Sequence, residues 1–186
     1  MQIELNKKNL PIIIEKSVNA LKRGGIVVYP ADTVYGIAVD ATNPDAILKL
    51  DKLKNRRPDQ KYSYNFSSIE MIKKYANISS DTEKILSKYL PGEYTFIIND
   101  NISVRIPKNS IIVEICKAFN KPTTATSANL TGKQPATSIK NLDPKIYLKA
   151  DVIIEDKNFV EKPPSTIVDL TKNPPKIIRQ GGVSFP

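Results

Sequence analysis

The sequence predicts an α/β fold in which helices pack on a sheet, and three observations carry that prediction. β-prone runs of four or five residues are interspersed with segments whose apolar residues recur at helical spacing. The connections are short, and the glycines fall at helix ends or turns, where backbone freedom is needed. A chain of 186 residues is long enough to bury a core as one domain, 1–186.

Leu10–Arg23 sets Ile14, Val18 and Leu21 on one helical face and stops at Gly24-Gly25. Ile26–Tyr29 is short and branched, a buried strand halted by Pro30. Asn43-Pro44 supplies an N-cap and a first-turn proline, so a helix runs to about Leu53. Lys54–Lys61 reads as a basic loop, and Tyr62–Phe66 alternates as a strand does. Ser68–Tyr75 and Ser80–Tyr89 are expected helices, the second ended by Pro91-Gly92. Strands follow near Tyr94–Ile98 and Ser103–Ile106, then a helix over Ser110–Phe119. Short strands are expected at Thr123–Thr126, Val152–Glu155, Thr166–Leu170 and Lys176–Arg179, with one short helix near Ser138–Leu142. Pro163-Pro164 and Pro174-Pro175 are rigid turns.

Composition narrows the chemistry. Cys116 is the only cysteine, and it lies in an apolar helical pattern with Ile112, Ile115 and Phe119, as a small core residue would. An internal disulfide is excluded. With no histidine, so are a structural zinc site and histidine-based triads. No apolar stretch approaches twenty residues and Met1–Leu10 has no signal-peptide pattern, so a soluble cytoplasmic protein without a membrane partner is expected. The net charge of +9 suits a polyanionic partner, although the lysines are spread along the whole chain. Arginine is scarce: Arg23, Arg56, Arg57, Arg105 and Arg179. Where lysine would serve for plain charge, a retained arginine points to planar, bidentate recognition of phosphate or carboxylate.

The richest segment is Lys121–Thr137, KPTTATSANLTGKQPAT. A Thr-rich strand delivers Ser127 and Asn129 to the same side of an extended chain, with small Ala128 between them and a turn closed by Gly132. Two hydrogen-bonding side chains at a strand end suit a polar ligand. No GxxxxGK[ST] sequence is present, which leaves the loop Lys54, Arg56, Arg57, Lys61 to meet phosphates, although alone it is an ordinary solvated turn. Val104-Arg105-Ile106 alternates apolar, charged, apolar. It fits either a carboxylate-binding arginine or a protective edge-strand charge.

Seven segments, in order, resemble the threonylcarbamoyl-AMP synthase family (the YrdC-like/TsaC proteins): Tyr29–Gly36 (YPADTVYG), Lys54–Lys61 (KNRRPDQK), Leu90–Ile97 (LPGEYTFI), Val104–Pro107 (VRIP), the SAN-bearing segment, Ser165–Asp169 (STIVD) and Ile178–Gly182 (IRQGG). The resemblance covers about Ala20 to Gly182 and is to the short, single-domain form. It implies a twisted mixed sheet with helices packed on it and a concave basic pocket. It also implies a reaction: L-threonine, bicarbonate and ATP give threonylcarbamoyl-AMP and pyrophosphate, for the t6A37 modification of tRNA. ATP would bring Mg2+, no metal ligand is assigned to the protein, and other t6A-pathway proteins would be partners.

The resemblance assigns catalysis to Lys54, Arg56, Ser127 and Asn129. ATP would meet Arg56, Arg57, Lys61, Asn129, Thr137 and Arg179; threonine would meet Thr33, Arg105, Ser127 and Ser165. Read alone, Thr137 is a helix N-cap and Arg179 a surface charge. Lys54-Asn55-Arg56-Arg57-Pro58 is one residue longer than the family's Lys-x-Arg-Pro, so either arginine fits the phosphate role. The position that carries histidine in many relatives falls near Asn65 or Phe66. An alternative class is a non-catalytic double-stranded RNA or tRNA-binding module, which the charge would suit. Carbamoyl transfer in metallocentre maturation ranks last, because the extra domains and Cys-rich segments that go with it are absent from the sequence.

Overall fold

A computed structural model describes residues 1–57, 60–108 and 110–186. The first half of the chain forms β1 (Gln2–Glu4), α1 (Leu10–Lys22), β2 (Val27–Pro30), β3 (Tyr35–Ala38), α2 (Pro44–Lys54), β4 (Ser63–Asn65), α3 (Ile69–Tyr75) and α4 (Ser80–Tyr89). The second half forms β5 (Tyr94–Ile97), β6 (Ser103–Arg105), α5 (Ile111–Phe119), β7 (Thr123–Ser127), α6 (Pro144–Lys149), β8 (Val152–Glu155), β9 (Thr166–Asp169) and β10 (Lys176–Arg179). The strands join in the order β1-β8-β2-β3-β7-β4-β6-β5-β9-β10. The sheet is mixed: β8 runs parallel to β1 and β2, whereas β7 is antiparallel to both β3 and β4.

Strand periodicity assigns each face its cover. Val27 points to α1 and α5 with Leu21, Ile112, Ile115 and Cys116, and its neighbour Val28 points to α2 and α6 with Ala46, Leu50 and Ile146. β8 repeats the alternation, with Ile154 on the first side and Ile153 on the second. Each such fully buried side chain contributes about 1.5–3 kcal/mol by leaving water. Farther along the sheet, Phe96, Val104 and Val168 bury one face under Ile72 of α3 and Leu86 of α4. The same alternation turns Ser63, Thr95, Arg105, Ala125 and Ile167 to the opposite face, and all five line a cavity there.

The N-cap expected at Asn43 forms, and two serines cap further helices. Asn43 accepts from the amides of Asp45 and Ala46 at 3.0 and 3.3 Å, and Ser68 and Ser79 cap α3 and α4 through Met71 and Thr82 at 3.1 Å. Three elements go beyond the sequence expectation. β1 has only three residues and gains its pairing from β8, more than a hundred residues later. β3 spans the glycine-bearing run Tyr35–Ala38, which has no alternation to mark it. α6 opens on Asp143 and Pro144, the same signal as Asn43-Pro44. Lys54 belongs to the last turn of α2 rather than to the loop after it.

Candidate active site

The cavity on the open face of the sheet holds about 450 Å³. It brings together five of the residues expected from sequence: Thr33, Arg105, Ser127, Ser165 and Arg179. A larger hollow of about 610 Å³ beside Leu10, Pro91 and Pro107 contains none of them and is mostly apolar. Lys54, Arg56, Arg57, Lys61, Asn129 and Thr137 stand outside the cavity lining.

Arg105 sits on β6 with its side chain 13 % exposed and pairs through Nη2 with Asp32, 9 % exposed, at 2.5 Å. The pair leaves Arg105 Nε and Asp32 Oδ2 buried without hydrogen-bond partners. A buried donor without an acceptor is costly, so the guanidinium retains unused capacity for an anion. Arg179 lines the same cavity. Its Nη2 donates to the Ser165 carbonyl at 2.8 Å and to Ser165 Oγ at 3.3 Å, and Ser165 Oγ is 3.1 Å from Thr95 Oγ1. Partial covering of its head group, and then the charge of Arg105, hold Arg179 below its ordinary value. Two guanidiniums that feel each other in one cavity make a place for a negative charge.

Ser127 and Asn129 do face the same side, and Ser127 Oγ donates to Asn129 Oδ1 at 2.5 Å. Asn129 Nδ2 donates to the Lys133 carbonyl at 2.6 Å, which closes the turn around Gly132, whose φ of +83° favours glycine. Lys54, 3 % exposed, runs beneath this loop and donates to the carbonyls of Ser127 and Asn129, each at 2.6 Å. Burial first, and then the charge of Arg56, push its ammonium down to about 8. Lys54 is thus the strut that fixes the Ser-x-Asn loop to the end of α2. Its ammonium does not open into the cavity.

The basic loop folds onto itself. Arg56 donates through Nε to Gln60 O at 2.9 Å and through Nη2 to Lys61 O at 2.6 Å, and its guanidinium lies 4.1 Å from the centre of the Tyr62 ring. Arg57 is exposed. Lys61 donates to the Asp100 carbonyl and, at 2.8 Å, to Asn101 Oδ1. Pro58, from which the spacing to Lys61 is counted, lies outside the described residues. Thr137 Oγ1 accepts from Asn141 Nδ2 at 3.1 Å, and Ser138, not Thr137, caps the short 3-10 turn Ile139–Asn141.

Several lining residues escaped the sequence reading. Tyr29 is fully buried, its phenol pushed up to about 12 mainly by that burial, and accepts at 3.0 Å from Nδ2 of Asn65, one of the two positions compared with the relatives' histidine. Asn65 is itself buried and bonds to Thr124 O at 3.1 Å behind the cavity. Gly36 is required beside this ring, because an added Cβ would meet Tyr29 at 2.7 Å. Glu161 and Lys162 also line the cavity; the Lys162 amide donates to Thr33 O at 3.1 Å, and Phe159 packs on Tyr35 with ring centres 5.0 Å apart. The YPADTVYG word already contained Tyr29, Asp32 and Gly36, but nothing local in the sequence points to Glu161 or Lys162.

A family model described as telomere recombination, Sua5/YciO/YrdC, matches residues 19–181. A threonylcarbamoyl-AMP synthase of Vibrio parahaemolyticus is 32 % identical over 183 residues, covering 90 % of this chain and 98 % of its own. The structure of P. abyssi Sua5 complexed with L-threonine is similar with a TM-score of 0.85 and 25 % identity, over 98 % of this chain. This chain spans 57 % of that protein's length. E. coli YciO, at 20 % identity and a TM-score of 0.82, shares the fold over 99 % of this chain and 96 % of its own.

Proposed function

The chain belongs to the Sua5/YciO/YrdC family, and from that membership we propose that it is a threonylcarbamoyl-AMP synthase that serves tRNA t6A37 formation. It joins L-threonine, bicarbonate and ATP into threonylcarbamoyl-AMP and pyrophosphate, and is in that sense a nucleotidyltransferase. The observation that carries the reading is the single cavity in which Arg105, with an unused buried Nε donor, stands with Thr33, Ser127, Ser165 and Arg179.

In this reading Arg105 receives the threonine carboxylate, and the hydroxyls of Thr33, Ser127 and Ser165 surround the amino-acid side. The threonine amine adds to the carbon of CO2 with release of a proton, or to that of bicarbonate with loss of water, to give a carbamate. A carbamate oxygen then attacks the α-phosphorus of ATP, the bond to the β-phosphate oxygen breaks, and pyrophosphate leaves. The nucleophile is already anionic, so no strong base is needed. Catalysis rests on positioning and on cations set where charge develops. Arg179, Asn129 and Thr137 lie on the nucleotide side, and Arg56, Arg57 and Lys61 form the basic border that the phosphates meet. Of these, Arg56 is already bonded to the carbonyls of Gln60 and Lys61, and Lys61 has to leave Asp100 and Asn101 to do so. Lys54 acts one step back, by fixing the loop that presents Ser127 and Asn129.

Among the described residues no group of three or more Asp, Glu, His or Cys could hold a metal ion. Mg2+ would therefore arrive on the phosphate oxygens of ATP as part of the substrate. No helix among the described residues is long and apolar enough to cross a membrane. Action in the cytoplasm, with tRNA-modifying proteins as recipients of the product, accords with this reading.

The test is pyrophosphate release from ATP, with L-threonine and bicarbonate each present or withheld, in the wild type and in Ser127→Ala. Release that needs both co-substrates and falls at least about tenfold in the variant is expected, the loss of roughly 1.4 kcal/mol or more of transition-state stabilisation. Absence of release from a folded protein that still binds tRNA would overturn the synthase reading in favour of an RNA-binding module.

A further inference from the structure

α2 carries two stripes. Ala46, Leu50 and Lys54 recur every four residues and point inward. Asp45, Leu48, Lys49, Lys52 and Leu53, at i, i+3, i+4, i+7 and i+8, line a second hollow of about 590 Å³ on the outside of the molecule. Its other wall is Lys145, Leu148 and Lys149 of α6, again at i, i+3 and i+4, and its floor is Ile26 and Leu130. Leu48 is 51 % exposed and Leu148 80 % exposed. Among the described residues, none of the four lysines lies within ion-pair distance of a carboxylate.

We propose that this groove docks an acidic amphipathic helix of a partner protein. Two neighbouring helices that line the groove with exposed leucines and lysines leave the seat of a third helix empty, a helix-in-groove arrangement. The complement is a helix with aliphatic residues at i, i+3, i+4 and i+7, flanked by Glu or Asp. The lining has neither an aromatic ring on which a base could stack nor an arginine to grip phosphate, so nucleic acid fits poorly. A second copy of this chain, with its charge of +9, would bring like charge to like. The groove also adjoins the loop that carries Ser127 and Asn129: Leu130 follows Asn129, and the Thr131 amide bonds to the carbonyl of Lys54 at 2.9 Å. A helix seated there rests on the reverse side of the strut that holds Ser127.

The probe is a fluorescein-labelled peptide of about eighteen residues, roughly 27 Å of helix, with leucine on one face and glutamate elsewhere. It is titrated by anisotropy into the full chain, beside a sister peptide with lysine for every glutamate and beside an unmodified tRNA. Micromolar binding of the acidic peptide, at least about tenfold tighter than its lysine sister, is expected. Leu48→Ser with Leu148→Ser should weaken it about tenfold or more, as should Lys49→Glu with Lys145→Glu. Both double variants should keep the wild-type circular dichroism spectrum and rate of pyrophosphate release. Equal binding of the two peptides, or binding that survives both double variants, overturns the proposal. So does displacement of the acidic peptide by tRNA whose own affinity falls in Leu48→Ser with Leu148→Ser.

Discussion

An ammonium buried beneath a loop is costly unless oxygens receive it, and Lys54 has two carbonyls at 2.6 Å. Replacing it by methionine keeps the packing but strips the partners from the carbonyls of Ser127 and Asn129. Lys54→Met is expected to lose about 1.5–3 kcal/mol in urea denaturation, the range for hydrogen bonds to charged groups. Pyrophosphate release should fall with it, because Ser127 and Asn129 lose their anchor. The pH dependence has a definite sign. The folded-state value of Lys54 lies near 8, below its ordinary 10.5, so between these values the unfolded chain binds more protons. The wild type therefore gains stability relative to Lys54→Met as pH rises from about 8 toward 10, and loses that margin as pH falls through 8. A stability difference that stayed flat across this window would refute the lowered value of Lys54.

The end of α2 shows how a helix boundary sets the geometry of a site. Asn55 takes the left-handed conformation, φ 54°, and the chain turns so that the Arg56 amide bonds back to Asp51 O at 3.0 Å. Asn55→Gly should leave stability and activity nearly unchanged, whereas Asn55→Val should lose about 1–2 kcal/mol by thermal denaturation and displace the loop that follows. Apart from α6, the helices among the described residues were legible in the sequence because their signals are local, as Asn43-Pro44 at the start of α2 shows. β1 and β3 were not, since a three-residue strand takes its identity from its partner and Tyr35–Ala38 reads as unpatterned apolar chain. For the site, the words around Thr33, Arg105, Ser127, Ser165 and Arg179 named residues that the fold gathers. The inward course of Lys54 depends on a loop 73 residues away, and no local spacing announces it. The coupling of Asp32 to Arg105, also 73 residues apart, is invisible for the same reason.

At the scale of the molecule, the cavity draws Tyr29, Thr33 and Gly36 from one half of the sheet and Thr95, Arg105 and Ser165 from the other. A ligand bound to the folded state alone stabilises it by about 2.7 kcal/mol at roughly a hundred times its Kd. ATP with L-threonine should therefore raise Tm by roughly 5–10 °C, and no rise would exclude the cavity as their site. The two halves are joined through β7, whose ladder with β4 is only the three pairs Ser63–Ala125, Tyr64–Thr124 and Asn65–Thr123. Beyond Ala125, Thr126 and Ser127 pair with β3 alone. The two halves of the sheet thus meet along a short ladder with α5 packed across both, and the Asp32–Arg105 pair is a clasp between them. A ligand that touches both halves would be a second clasp, so L-threonine and ATP together are expected to make the fold harder to unzip than either does alone.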